Sequence, residues 1–138
     1  MKTFELIRLF GLLSPNKNAG RLSNKAKIEY IKNFNILKQE MKVVGEAEGL
    51  VFEKYGIVPD ANGDATKQIN ALEEQAKKDF VAEWNDLHNS DIVVILTKMD
   101  EADFCELITE KDGIEYTIQD TAFIYDMLVE NNQSQGGK

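Results

Sequence analysis

Asp60, Asn62 and Asp64 fall at alternate positions, the spacing of the first three ligands in a calcium-binding loop. Such a loop next requires a glycine, and later a glutamate that binds calcium through both oxygens. Ala65 and Ala71 stand at those two positions. Because Asp and Asn also form turns by accepting hydrogen bonds from nearby backbone groups, the spacing predicts a turn and no metal site.

A second pattern that suggests chemistry is Thr97-Lys98-Met99-Asp100, which follows an apolar run. It is similar to the guanine-recognition motif of GTPases, in which the aspartate accepts hydrogen bonds from the base. That function requires an earlier phosphate-binding loop, G-x-x-x-x-G-K-[ST]. None of the nine glycines supplies one, and no alternation of strands and helices precedes the motif. We therefore predict no nucleotide and no other cofactor.

His88 is the sole histidine, and Asp86 and Asp91 lie close to it in the sequence. Such a group could complete a metal site or act as a general base. A histidine at the C-terminal end of a helix is also favoured there because it interacts with the helix dipole. We predict the second role for His88.

Cys105 is the only cysteine, so the chain can form no internal disulfide. No histidine lies close enough in the sequence to indicate a nucleophilic pair with it. Its position between Phe104 and Leu107 predicts a small buried apolar residue. The sequence therefore predicts no catalytic residues and a protein that is not an enzyme.

The 138 residues have a net charge of −8, which argues against a nucleic-acid surface because phosphate contacts require clustered Lys and Arg. The charge is uneven: residues 1–55 carry 10 Lys and Arg against 6 Asp and Glu, and residues 56–138 carry 6 against 18. The apolar N-terminal stretch 1–13 is much shorter than the about 20 residues of a membrane span. Glu5 and Arg8 interrupt it, so we expect a short helix packed on the core and a cytoplasmic location.

The longest periodic stretch is 23–55, where apolar residues recur at alternating spacings of four and three, interrupted only at Glu48. This spacing predicts one long helix with an apolar stripe. Ser23 is a suitable N-cap, and Gly56 followed by Pro59 is a suitable stop. The predicted core residues of this helix are Tyr30, Phe34, Leu37, Met41, Val44, Val51 and Tyr55.

A second helix is predicted over residues 66–88, after a polar loop. Two long helices joined by a loop of this length favour an antiparallel hairpin. The core residues predicted for this helix are Ile69, Leu72, Phe80, Trp84 and Leu87.

The last third of the chain predicts β-structure. The short β-branched run 92–96 is typical of a buried strand, and residues 111–113 indicate a turn into a return strand, 114–116. Thr117 or Gln119-Asp120 would cap a final helix. The predicted fold class is α+β: a long antiparallel helical hairpin, a short N-terminal helix, a small C-terminal β-sheet and a final helix. Residues 1–131 would form one domain, and 132–138 a polar tail.

The stretch 100–110 and the turn after it are rich in carboxylates. We predict that this acidic region, or the polar tail, docks a partner protein. The candidate interface residues are Asp100, Glu101, Asp103, Glu106, Glu110 and Asp112.

Residues 21–56 resemble the start of a family of small phage-encoded proteins of unknown function. In that family a Lys/Arg-Leu pair precedes a long helix that ends in Lys-Tyr-Gly, and Asn33, Leu37, Glu40 and the sequence KYG at 54–56 occupy the matching places here. Genes of this family lie among tail and lysis genes. The resemblance implies a non-enzymatic virion, tail or assembly protein, with phage virion proteins or a second copy as partner, and neither nucleic acid nor membrane. The expected location is the host cytoplasm during assembly, or the virion. The alternative is a counter-defence or host-takeover inhibitor that binds a bacterial enzyme through the acidic face.

Overall fold

A computed structural model of the chain describes residues 1–14, 17–109 and 115–129. These residues form six α-helices: α1 (Thr3–Leu13), α2 (Asn24–Lys54), α3 (Thr66–Asn70), α4 (Glu74–His88), α5 (Glu101–Ile108) and α6 (Ile118–Leu128). A 3₁₀-helix, Lys17–Arg21, precedes α2. The chain divides into two compact units: Met1–Ile7 with Gln39–Val93, and Arg8–Lys38 with Val94–Lys138.

The predicted α+β fold class is wrong, because the described residues contain no β-strand. They contain only two isolated bridges, between Lys2 and Asp91 and between Met99 and Val129. Residues 92–96 are extended, but the backbone of Val93–Leu96 makes no hydrogen bond within the described chain. The side chains of Val93 and Ile95 are 88% and 81% exposed, so the run is not a buried strand.

The predicted return strand, residues 114–116, is also not a β-strand in the two residues of it that the structure describes, Glu115 and Tyr116. Residues 111–114, and with them the predicted turn, lie outside the described residues, as does the tail 132–138. Glu115 and Tyr116 have no strand pairing, and the Tyr116 hydroxyl donates a hydrogen bond to the Leu12 carbonyl at 2.7 Å. A β-strand needs a neighbouring strand to bond its backbone, and neither segment provides one for the other.

The predicted ends of α2 agree with the structure to within about one residue, because capping groups mark them. The Ser23 hydroxyl accepts a hydrogen bond from the Ala26 N–H at 3.2 Å at the start of α2. Gly56 follows the end of α2 with a φ of 66°, a left-handed conformation that glycine adopts without steric cost.

In the first unit, the C-terminal part of α2 packs antiparallel to α4, as the hairpin prediction requires. Three contacts show the direction of the pairing: Glu48 meets His88, Phe52 packs against Trp84, and Tyr55 contacts Phe80 edge-on. Residue numbers rise along α2 as they fall along α4, so the two helices are antiparallel. The core of this hairpin consists of buried Val51, Ile57, Ala65 and Phe80, with Phe52, Tyr55, Ile69, Leu72, Trp84 and Leu87 packed against them.

The predicted helix 66–88 is two helices, because residues 71–73 interrupt it. Ala71 ends α3, and Glu73, with a ψ of 151°, precedes α4. Ile69 before this break and Leu72 within it both pack against the cluster around Phe80. No glycine or proline marks the position in the sequence, so the usual helix-breaking signals are missing.

In the second unit, α5 packs against the 3₁₀-helix and against α6. Two asparagines are buried there with their polar groups satisfied. Asn18 donates to the carbonyls of Leu107 and Thr109, and Asn33 forms two hydrogen bonds with the Thr97 backbone. The buried apolar residues of this unit include Leu9, Leu13, Leu22, Ala26, Leu37, Met99, Phe104, Leu107, Ile124, Leu128 and Val129.

The residues predicted as core are buried or half-buried, and none is exposed. Leu37, Val44, Val51 and Phe80 are buried. The others are half-buried: Tyr30, Phe34, Met41, Tyr55, Ile69, Leu72, Trp84 and Leu87.

Candidate functional site

Most of the predicted acidic interface residues that the structure describes hold the fold together. The Asp100 carboxylate caps α5 by accepting a hydrogen bond from the Asp103 N–H at 2.9 Å. Asp103 accepts hydrogen bonds from both the backbone N–H and the hydroxyl of Ser23, each at 2.9 Å. Glu101 accepts one from the Tyr125 hydroxyl at 2.7 Å. These three carboxylates are therefore partly satisfied within the protein.

The other three predicted interface residues differ from these. Glu106 is exposed and has no hydrogen bond or ion pair among the described residues. Glu110 and Asp112 lie outside the described residues.

The residues of the GTPase-like motif also have structural roles. Thr97 pairs with Asn33, and Lys98 Nζ donates to the Met127 carbonyl at 2.5 Å. Met99 is buried, and Asp100 is the cap of α5. The motif thus forms the entry into α5 and its contact with α6.

The Asp60 loop is a turn stabilised by its own carboxylates. Asp60 Oδ1 accepts from the N–H groups of Asn62 at 2.8 Å and Asp64 at 3.0 Å. Hydrogen bonds from Thr66 lower the pKa of Asp64. No group of three or more His, Cys, Asp or Glu side chains in the described chain is arranged to hold a metal ion.

His88 is the last residue of α4, and it contacts Glu48 on α2. His88 Nε2 lies 2.9 Å from Glu48 Oε2, and Nδ1 lies 2.7 Å from the Trp84 carbonyl oxygen. Both ring nitrogens therefore lie within hydrogen-bond distance of a neighbouring oxygen atom. Glu48 interrupts the apolar stripe of α2 at the point where this polar partner meets it, so the pair joins the two helices of the hairpin.

Cys105 is exposed, so the expectation that it is buried was wrong. It lies on the outer side of α5, between buried Phe104 and the exposed Glu106. Its backbone carbonyl accepts a hydrogen bond from the Thr109 hydroxyl at 2.6 Å. The sole histidine belongs to the other unit. Nothing on the described surface of α5 therefore pairs this thiol with a base.

The second unit has an apolar pocket of about 380 Å³ between α5 and α6, which we call the α5–α6 pocket. Its volume is at the small end of the range of ligand sites, about 300–1,000 Å³, and suits one or two side chains. Ile118, 86% exposed, stands at its edge as the first residue of α6. The lining residues are Phe104, Tyr116, Ile118, Thr121, Ala122, Tyr125 and Asp126.

Two elements fix the walls of the pocket. The Thr117 hydroxyl caps α6 by accepting from the Asp120 N–H at 3.0 Å, which sets the start of the helix beside Ile118. The Tyr125 ring meets the Phe104 ring edge-on, with centroids 5.2 Å apart. Phe104 itself is buried, so this aromatic wall is anchored in the core of the unit.

The hydroxyl groups in the pocket wall are already bonded within the protein. Thr121 Oγ1 donates to the Thr117 carbonyl at 2.9 Å, and Tyr116 donates to Leu12. The hydrogen bond to Glu101 raises the pKa of Tyr125. Asp126 differs from these residues, because it is exposed and has no hydrogen bond or ion pair among the described residues. Among the described residues, the pocket therefore offers an apolar surface with one available carboxylate, that of Asp126.

The described segments that form the pocket carry more carboxylates than cations. Between residues 98 and 109 and between residues 115 and 129, Lys98 is the only basic residue. Arg8 approaches α6 from α1, but it pairs with Asp120 at 2.9 Å and lies over the Phe123 ring. This pairing lowers the pKa of Asp120. The carboxylates of Glu106, Glu115 and Asp126 have no ion pair among the described residues.

The sequence contained a signal for this pocket that the prediction missed. Ile118, Ala122 and Tyr125 recur at spacings of four and three, which is an apolar stripe on α6 distinct from the buried residues Ile124 and Leu128. A helix with two apolar stripes buries one in the core and leaves the other available for contact.

The comparisons with known proteins give no relative for this chain: no family model, no curated protein and no solved structure matches it. None of the helices in the described ranges is long and apolar enough to cross a membrane.

Proposed function

We propose that this protein acts without catalysis, through protein–protein contact at the α5–α6 pocket, as a phage virion, tail or assembly component. The observation that carries the contact role is the pocket itself. It combines an apolar lining, the exposed Ile118 and hydroxyls that already bond within the protein. Exposed apolar surface with a polar rim is typical of protein-binding sites.

The phage setting rests on the resemblance of residues 21–56 to the phage-encoded family. Asn33 and Leu37, two of the matching residues, are buried in the second unit, where the pocket lies. In this proposal the part of α2 in the second unit, residues 24–38, supports the unit, and the α5–α6 pocket is the contact surface. The partner is a phage virion protein or a second copy, and the protein resides in the host cytoplasm during assembly or in the virion.

A photo-crosslinking benzoyl-phenylalanine in place of Ile118 tests the proposal. The matched control carries the same residue in place of Val58, which is 71% exposed and belongs to the first unit. After irradiation in the host cell, mass spectrometry identifies the proteins bound at each position. Adducts with a virion protein or a second copy, formed only at position 118, support the proposal.

The other outcomes of this experiment each decide against part of the proposal. A bacterial enzyme captured only at position 118 would favour the alternative role as an inhibitor of that enzyme. The same proteins at both positions, or none at position 118, would contradict protein contact through the α5–α6 pocket. Mass spectrometry of purified virions adds an independent measurement, since a structural component is present there in a fixed stoichiometry.

A further inference from the structure

The α5–α6 pocket has a chemical character that specifies its partner more closely. Its described lining is almost entirely apolar, and the Asp126 carboxylate, which has no hydrogen bond or ion pair among the described residues, is negative. Glu101 lies close by, since it accepts the hydrogen bond of the pocket residue Tyr125. A partner that fills this pocket therefore brings an apolar group next to a negative rim.

We infer that the pocket receives a large apolar side chain from a partner protein, on a segment that also carries Lys or Arg within about one helical turn of that side chain. The apolar side chain enters between Phe104 and Ala122, and the cation pairs with Asp126. This inference rests on the proposed contact function and adds the chemistry of the partner.

Charge complementarity is the argument for a basic partner. A carboxylate at the edge of an apolar contact loses its hydration when a partner covers it. The free-energy cost of this desolvation is compensated only if the partner places a cation next to the carboxylate. Within the residues that the structure describes, Lys98 and Arg8 are not available for this role, because Lys98 donates to the Met127 carbonyl and Arg8 pairs with Asp120. An acidic or uncharged segment would leave Asp126 beside the contact without a partner.

The apolar part of the contact supplies most of the affinity. Ile118 is exposed at the edge of the pocket, and the buried Phe104 forms its inner wall. Contacts of this kind typically depend on one or a few apolar anchors in a pocket, with charges at the rim that select the partner. Both features are therefore required for binding.

The test uses three synthetic helical peptides and the full-length protein. The first peptide has a leucine face with lysines beside it, the second replaces the leucines with serine, and the third replaces the lysines with glutamate. Binding is measured by fluorescence anisotropy, and amide chemical-shift changes locate the contact. We expect binding of the Leu/Lys peptide alone, with shifts in α5 and α6.

Two variants and one control test the location of the contact. Ala122→Trp fills the pocket from an exposed helix position, so we expect it to abolish binding while the protein stays folded. Asp126→Lys should weaken binding by about tenfold or more, because it places like charges together. The control Asp86→Lys makes the same charge change at an exposed position of α4, in the first unit, and should leave binding unchanged.

Several results would overturn the inference. Equal binding of the Ser/Lys peptide would mean that charge alone drives the contact, and equal binding of the Leu/Glu peptide would remove the cation requirement. Equal losses in Asp126→Lys and Asp86→Lys would place the contact elsewhere. If no peptide binds while position 118 still captures a specific protein, the partner chemistry is wrong and the contact function stands.

Discussion

The side chain of Asn33 forms a pair of hydrogen bonds with the backbone of Thr97. Its Nδ2 donates to the Thr97 carbonyl and its Oδ1 accepts from the Thr97 N–H, both at 2.8 Å. Asn33 is 1% exposed, so its side chain is buried, and both bonds are partly shielded from solvent. A helix side chain thus provides the two hydrogen bonds that a neighbouring strand would otherwise supply, and the extended segment ends there without a sheet.

Replacement of Asn33 by alanine should lower the free energy of unfolding by about 1–3 kcal/mol, because two hydrogen bonds are lost and the backbone groups of Thr97 lose their partners. Urea denaturation measures the change. The matched control is Asn35→Ala, at an exposed position of the same helix, which should alter stability by less than about 0.5 kcal/mol. Equal stability of the two variants would mean that the Asn33–Thr97 pair contributes nothing.

The Phe80 cluster gives a second prediction, in the first unit. Phe80 is buried and contacts Phe52, Tyr55 and Trp84, so Phe80→Ala should destabilise the protein by about 3–5 kcal/mol. Its neighbour Val81 is 44% exposed on the same helix, and Val81→Ala should cost about 0.5 kcal/mol or less. Thermal denaturation of both variants checks this. A Phe80→Ala protein with the melting temperature of the wild type would contradict the assignment of this core.

The exposed apolar residues of the extended segment give a third prediction. Val93→Thr and Ile95→Thr should each change the free energy of unfolding by less than about 0.5 kcal/mol, since both side chains face solvent. The same type of change at the fully buried Ile124 should be strongly destabilising, because it buries a hydroxyl and removes apolar volume. Strong destabilisation at position 93 or 95 would restore the interpretation of this run as a buried strand.

The Glu83 contacts give a pH-dependent prediction. Hydrogen bonds from Lys54 Nζ at 3.1 Å and the Tyr55 hydroxyl at 2.9 Å lower the pKa of Glu83 below its ordinary value of 4.5. A carboxylate with a lowered pKa stabilises the folded state above its ordinary pKa and loses that contribution as the pH falls through the lowered value. Wild type should therefore exceed Glu83→Gln in stability at pH 7, and the difference should shrink towards pH 3 in denaturation series. A difference that stays constant with pH would contradict the ionic role of Glu83.

The sequence predicted helices best where local capping chemistry agreed with the apolar period. Ser23 and Gly56 bound α2 because a hydroxyl cap and a left-handed glycine act locally. Thr117 was one of two predicted caps for the last helix, and it is the one used. α5 was missed, although Asp100 followed by Asp103 is a recognisable start, because the acidic stretch was interpreted only as surface.

The sequence failed where the outcome depends on partners distant in the chain. A β-branched run such as 92–96 favours an extended backbone, but whether it joins a sheet depends on a second strand, and a side chain of α2 bonds its end instead. The structural bonds of two carboxylates in the predicted interface were also not foreseen, because Ser23 reaches Asp103 and Tyr125 reaches Glu101 from distant positions; their interface role stays a prediction. Glu48 is a position where the sequence itself carries a signal of a distant contact. A glutamate within an apolar stripe requires a polar partner, and the only histidine, His88, provides it.

Hydrogen exchange of backbone amides tests the central claim, contact through the α5–α6 pocket, most directly. Exchange is compared between the protein alone and the protein bound to the partner that position 118 captures. The account predicts slower exchange in α5 and α6 on binding and unchanged exchange in α4, which belongs to the first unit. Slower exchange confined to α4, with α5 and α6 unaffected, would contradict it.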